Sequence, residues 1–140
     1  MIKNDVIENK LFKVEVRTML SMLWLFYILN VVFRDIHEFI KADFIKEILT
    51  GTLGGYQVTE GLLLIGGIVA VITVSMVLLS ATLRKKQNIY INLILSPLFA
   101  LSIITNGFGD PDDLLHLVFE LIAMISIFVI VLRWKKTHSE

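Results

Sequence analysis

The chain has 140 residues, of which 56% are hydrophobic and only 19% are charged, and its mean hydropathy is +0.77. A soluble domain of this size could not cover so much apolar surface with so few charges, so the composition favours a membrane protein. The formal net charge is zero, which gives no basic field for nucleic acid. The absence of cysteine excludes disulfides, thiol redox chemistry, iron–sulfur clusters and cysteine zinc sites.

Four apolar stretches follow one another along the chain, at residues 18–34, 60–83, 88–107 and 112–133. A helix needs about 20 residues to cross a bilayer. The first stretch is short, so we expect its helix to continue past Arg34, whose long side chain can extend toward the headgroups. No small-residue cleavage site follows Arg34, so this segment is not predicted to be a signal peptide. The predicted fold is all-α: one domain over residues 1–140, a polytopic four-transmembrane-helix bundle.

The segment between the first two spans has two interpretations. Apolar residues recur in it at helical spacing, with charges between them: Ile36, Phe39, Ile40, Phe44, Ile45 and Ile48. The pattern is typical of a short amphipathic helix lying in the membrane interface, and it fits a simple continuation of the first helix equally well. Gly51, Gly54 and Gly55 then predict a turn into the second span.

The fourth span has the residues of a helix start. Asp110 is a capping residue, Pro111 suits the first helical position, and Asp112 and Asp113 complement the N-terminal dipole. This pattern predicts where the helix begins and carries no chemistry by itself.

Basic residues predict the orientation. Three segments are basic: the N-terminal segment, the second loop and the C-terminal tail. The third loop, residues 107–113, has three aspartates and no base, and the first loop is mixed. Positive segments stay in the cytosol, so we expect both termini and the second loop to be cytosolic.

Polar residues of different spans fall at one depth. At about 1.5 Å per residue from Arg17, Asn30 lies about 20 Å and Arg34 about 25 Å into the membrane. Counting back along the fourth span from Arg133, Glu120 lies about 20 Å and His116 about 25 Å into the membrane from the same side. Glu120 must therefore be paired, protonated or exposed to water, and Arg34 on another helix is its natural partner. Hydrocarbon cannot satisfy these groups, so they are expected to face one another.

The candidate binding or proton site is this layer in the outer half of the membrane. It comprises Glu120, Arg34, His116, Asn30, Tyr27, Glu38, Glu60, Asp113, Ser102 and Asn106.

Metal binding is the weaker interpretation, because no two histidines share a metal-ligand spacing and Arg34 would repel a cation. Haem between His37 and His116 is disfavoured, since both lie near one surface. No nucleophile elbow, P-loop or zinc-protease motif occurs, so the sequence predicts neither a cofactor nor a metal.

Several segments resemble a family of small bacterial membrane proteins catalogued as a domain of unknown function. The resemblance covers most of the chain and is most specific in Thr59-Glu60-Gly61-Leu62-Leu63. The other matching segments are residues 22–26, 34–35, 49–55, 76–80, 88–92, 119–120 and 133–135. It implies four helices in a bacterial cytoplasmic membrane and no particular activity. Size and helix number also resemble the DoxX-like proteins, an analogy of fold only.

Three functions fit this sequence. The first is binding or transport of a small molecule, proton or ion at the polar layer. The second is a structural or accessory subunit in which Arg34 and Glu120 lock helices together. The third is a membrane-embedded enzyme with Glu120 and His116 as acid and base, which is disfavoured because four helices leave little room for a pocket. A dry, paired Glu120 would favour the structural role, and a cavity reaching Glu120 would favour binding.

The expected partners are the lipid bilayer, an unidentified small ligand or proton, and a second copy of the chain. Gly66 and Ala70 form a small-xxx-small pair that allows another helix to approach closely. Packing within the monomer explains the same pair, and it is the simpler interpretation.

Overall fold

The computed structural model describes residues 15–106 and 111–136. Within these ranges the chain forms five helices and one small strand pair: α1 (Val16–Ile40), α2 (Ala42–Leu49), β1 (Thr52–Leu53), β2 (Tyr56–Gln57), α3 (Glu60–Thr82), α4 (Lys85–Asn106) and α5 (Pro111–Lys136). Four of the helices, α1, α3, α4 and α5, are long and apolar enough to cross a membrane. The all-α, multi-pass fold class predicted from the sequence is therefore confirmed.

Helix α1 holds the long helices together. It packs against both α3 and α5, and α4 packs against α5. At the centre lies Trp24, which is fully buried and meets Tyr27 and Phe99 edge to face, with ring centroids 6.0 and 5.5 Å away. Edge-to-face packing of large rings adds about 0.5–1.5 kcal/mol per pair beyond the burial of area.

Contacts between the ends of the long helices define two ends of the molecule. We refer to the end that holds the last turn of α1 and the first turn of α5 as the His37 end. The opposite end, where α3 meets α4, is the Arg84 end. There the ammonium group of Lys85 lies 5.3 Å from the centre of the Trp134 ring. The second loop and the C-terminal basic residues therefore lie side by side at one end.

Both interpretations of the first loop describe part of the structure. Helix α1 continues past Arg34 to Ile40, as its short apolar stretch predicts, and then stops because Lys41 adopts an extended conformation. The amphipathic α2 follows as a separate helix, and Phe39 packs edge to face on Phe44 across the break, with centroids 5.4 Å apart.

The glycine-rich segment after α2 forms a hairpin that the sequence analysis describes only as a turn. Gly54 and Gly55 both have positive φ, of 57° and 79°, which a tight two-residue turn requires and which glycine adopts without a steric penalty. The Glu47 carboxylate of α2 accepts a hydrogen bond of 2.7 Å from the Gly55 N–H, which ties the hairpin to the helix. Thr59 then caps α3 by accepting from the Leu62 N–H.

The first half of α3 is exposed on all sides. Every residue from 60 to 72 is exposed, and burial begins only at Thr73. A cavity of about 290 Å³ separates this half from α1, and one of about 360 Å³ separates it from α4; Val69 lines both. Helix α3 therefore diverges from α1 and α4 toward the His37 end.

The start of α5 agrees with its predicted signals. Pro111 is its first residue, and Asp112 and Asp113 lie in its first turn. The predicted cap, Asp110, lies outside the described residues.

Candidate functional site

Arg34 and Glu120 form an ion pair between α1 and α5, as the count of depth predicts. Arg34 Nη1 donates to Glu120 Oε2 over 3.2 Å and lies 3.1 Å from Oε1. The Glu120 side chain is only 1% exposed, whereas that of Arg34 is 26% exposed. The carboxylate is thus enclosed by protein, and the guanidinium connects it with the surface of the molecule.

Antiparallel packing explains how the two side chains meet. The counted depths differ by one helical turn, about 5 Å. Side chains lean toward the N-terminus of their own helix. Because α1 and α5 run in opposite directions, Arg34 leans away from the His37 end and Glu120 leans toward it, which closes the offset.

Two further polar contacts join α1 to α5. His116 Nδ1 lies 3.4 Å from Asn30 Oδ1, and Asn30 also donates to the Phe26 carbonyl of its own helix. At the His37 end, His37 Nδ1 lies 3.0 Å from Asp112 Oδ2. Together with the ion pair, these contacts connect the two helices over more than two turns.

Other charged side chains surround the ion pair. Asp35 Oδ1 lies 4.0 Å from Arg34 Nε, so two carboxylates face the one guanidinium. Glu38 pairs instead with Lys41, one turn along the chain, and does not join the ion pair. Asp113 is half-buried in the first turn of α5. Carboxylates therefore outnumber bases at this end of α1 and α5.

The remaining predicted site residues lie elsewhere. Tyr27 is buried between α1 and α4, against Trp24 and Phe99. Glu60 is exposed at the start of α3. Ser102 is exposed and lines the cavity between α3 and α4, so it does not join the polar layer. Asn106 ends α4, and its side chain lies outside the described residues.

Ser102 lies at the edge of the buried face of α4: Phe99, which lines the same cavity, and Ile103, the next residue, are both buried, whereas Ser102 is exposed. A hydroxyl does not demand a partner on another helix, since it can bond to its own backbone. The polarity of Ser102 therefore did not show that its side chain faces away from the polar layer between α1 and α5.

A second polar cluster, nearer the Arg84 end, did not appear among the predicted site residues. The Trp24 indole N–H donates to Asn92 Oδ1 over 2.7 Å, and Asn92 Nδ2 donates to Asn88 Oδ1 over 2.7 Å. Asn88 in turn donates to the Ser80 carbonyl over 2.6 Å. The four-residue spacing of Asn88, Asn92 and Ser96 could have revealed this buried face.

His37 and Asp112 are also absent from the predicted site. His37 belongs to a charged, mixed loop in the sequence, and Asp112 reads as part of a helix start. Only the packing of α1 on α5 brings them together. The two histidines, His37 and His116, have ring centroids 5.5 Å apart, although 78 residues separate them in the chain.

Comparison with known proteins identifies the family. The model of DUF6326, described as a family of unknown function, matches residues 9–139, so the chain belongs to this family. This agrees with the resemblance to a domain of unknown function seen in the sequence, whereas nothing found shows a relation to DoxX-like proteins. No curated protein and no solved structure matches the chain.

Proposed function

We propose that this member of the DUF6326 family is a structural or accessory subunit of the bacterial cytoplasmic membrane, in which the Arg34–Glu120 pair locks α1 against α5. One observation carries the proposal: Glu120 is 1% exposed and both of its oxygens lie within 3.2 Å of the same Arg34 nitrogen. A carboxylate used for transport must exchange its proton or ligand, and an enclosed, paired carboxylate is poorly placed to do so.

The remaining contacts support a lock. Asn30–His116 and His37–Asp112 lie on the same helix pair and add contacts that an apolar interface would lack. Inside a membrane there is little hydrophobic drive between helices, so packing and interhelical polar contacts determine which helices associate. The first half of α3 remains free for another membrane component, and a second copy of this chain is the occupant that we propose.

The orientation is part of the proposal. The Arg84 end brings Lys85 together with the C-terminal basic residues, and the His37 end is rich in carboxylates. From the positive-inside rule we therefore expect the Arg84 end to face the cytosol and the His37 end to face outside.

The abundance of variants in the membrane tests the lock. Arg34→Ala leaves a buried carboxylate without its partner, so the protein should be degraded and its abundance should fall. Arg34→Ala combined with Glu120→Gln removes the orphan charge, and abundance should recover. Lys46→Ala, which removes an exposed base of α2, is the control and should have no effect.

A measurement of proton flux into liposomes tests the competing function, proton transport. Reconstituted wild type and Glu120→Gln should behave alike when an internal pH dye reports on the flux. A flux that Glu120→Gln abolishes while leaving abundance unchanged would contradict the lock and favour transport.

Small-molecule binding is the second candidate, and the cavity between α1 and α3 favours it. The cavity has mostly apolar walls, including Ile28 and Val69, and Asp35 is the charged residue among those that line it. Asp35 also faces Arg34, so a ligand there would touch the edge of the ion pair. The chemistry suits an apolar molecule that bears a cationic group.

Native mass spectrometry of the purified protein tests this second candidate. We expect a small molecule to be retained by the wild type and lost in Val69→Trp, which fills the cavity. Retention of the same molecule by Val69→Trp, or its absence from the wild type, would contradict binding there.

A further inference from the structure

We propose that His37, Asp112 and His116 form a binding site for a divalent transition metal, with Zn²⁺ as its best-suited ion. One ligand atom of each residue lies within 4.8 Å of the others. Two imidazole nitrogens and a carboxylate oxygen form the donor set that zinc prefers when no thiolate is available. This inference is independent of the lock.

The spacing within α5 suits a shared ion. Asp112 and His116 are four residues apart, so they project from one face of the helix. The two histidines of zinc-protease helices have the same spacing. The third ligand, His37, comes from α1, which is why no metal spacing is visible in the sequence.

Small side-chain movements complete the geometry. In a tetrahedral zinc site with bonds of about 2.0–2.1 Å, ligand atoms lie about 3.3 Å apart. The His37–Asp112 separation of 3.0 Å is already close to this value. Because all separations lie within 4.8 Å, the widest must close by about 1.5 Å at most to reach it. The side chains of His37 and Asp112 are 45% and 39% exposed, so they have room to rotate.

Asn30 can hold His116 in the required state. If His116 Nδ1 carries the proton and donates to Asn30 Oδ1, its Nε2 keeps a lone pair for the metal. An outer-sphere partner of this kind usually fixes the tautomer of a ligating histidine. Asn30 is therefore a positioning residue.

The nearby charges do not prevent a cation from binding. Arg34 lies three residues before His37 on α1, and Glu120 and Asp35 balance its charge. Glu38 is paired with Lys41, and Asp112 adds a negative charge to the site itself. Exposure at the His37 end gives the ion a route in from solvent. Three protein ligands leave one coordination position open for water or another group.

The experiment uses the full chain in mild detergent, purified with a tag free of histidine and stripped with a chelator. Co²⁺ reports coordination through its visible absorption, and Zn²⁺ competition gives the affinity. We expect one ion per chain. His37→Ala and His116→Ala should each weaken binding by more than about tenfold, the loss typical even of outer-sphere changes. The chain has three histidines, and the control His138→Ala should bind like the wild type.

Thermal unfolding separates binding from simple folding defects. Zn²⁺ should raise the Tm of the wild type, because a ligand that binds only the folded state stabilises it. His37→Ala should show no such rise, whatever its metal-free Tm, which the loss of the His37–Asp112 contact lowers. No Co²⁺ absorption by the wild type, or unchanged binding in both His37→Ala and His116→Ala, would overturn the site. Either result leaves the Arg34–Glu120 lock unaffected, and the lock can fail without affecting the metal site.

Discussion

Removal of Arg34 should destabilise the protein more than removal of both members of the ion pair. Two unit charges 3.1 Å apart attract each other by about 5 kcal/mol at an effective dielectric constant near 20. Desolvation offsets part of this attraction, and breaking a buried pair from one side costs about 3–5 kcal/mol. The Arg34 side chain is 26% exposed, so we expect the lower end, about 3 kcal/mol, for Arg34→Ala.

The reverse change should cost less. In Glu120→Gln the buried group becomes neutral, and Arg34 can turn toward solvent or toward Asp35, whose carboxylate is 4.0 Å away. We expect a loss of about 1 kcal/mol for this variant and about 2 kcal/mol for the double variant, in line with the smaller cost of removing a buried pair from both sides. The two changes then couple by about 2 kcal/mol, well above the error of such a cycle.

Reversible unfolding in mild detergent, followed by circular dichroism, gives the four free energies. The pair Lys46–Asp43 is the matched control: its N–O distance is 3.0 Å, but its side chains are 74% and 96% exposed. Such a pair should show no measurable coupling. Strictly additive effects at Arg34 and Glu120, or a larger loss in Glu120→Gln than in Arg34→Ala, would refute the assignment of the pair as a lock.

The other predictions concern orientation, packing and assembly. In intact cells, an impermeant thiol reagent should label Gln57→Cys and leave Lys86→Cys unlabelled, and the opposite result would reverse the orientation; the native chain has no cysteine to interfere. Trp24→Phe should lower the unfolding free energy by about 1–3 kcal/mol, since it leaves the buried Asn92 carbonyl without its donor, and an unchanged stability would show that this hydrogen bond contributes nothing. Gly66→Leu should abolish a dimer seen by cross-linking in membranes. The monomer should stay folded, because no atom lies within 4 Å of a Cβ at this position. A wild type that is monomeric in membranes and in detergent would contradict assembly through this face.

The long helices were predictable because the bilayer imposes their length and composition. A run of apolar residues between charges predicts each span, and the extension of α1 beyond Arg34 follows from the length that a membrane requires. The start of α5 followed from Pro111 and from the two acidic residues of its first turn, whose effects act within one turn. These are local effects, and a single sequence records them.

The contacts of the candidate site were predictable only where two polar residues had to lie at the same depth in the membrane. Arg34 and Glu120 lie on different helices at nearly one depth, and a charge in hydrocarbon needs a partner, so the pair could be inferred. The buried face of α4 is not visible in its apolar residues, which lie on every side of the helix, and only the spacing of Asn88, Asn92 and Ser96 indicates it. The His37–Asp112–His116 cluster depends on the rotation of α1 against α5, which periodicity does not report.

The two polar clusters described above differ in charge and in exposure to solvent. The Trp24–Asn92–Asn88 cluster is neutral and enclosed, with short hydrogen bonds between its members. Such a network specifies one packing and offers nothing that can titrate or exchange. The α1–α5 cluster is charged and runs from the buried Glu120 through Arg34 to exposed residues at the His37 end. Its outermost members, His37 and Asp112, are accessible to solvent, while its innermost member, Glu120, contacts Arg34 on the other helix. An ion or ligand bound at the His37 end would therefore act on the same helix pair that the buried charge stabilises.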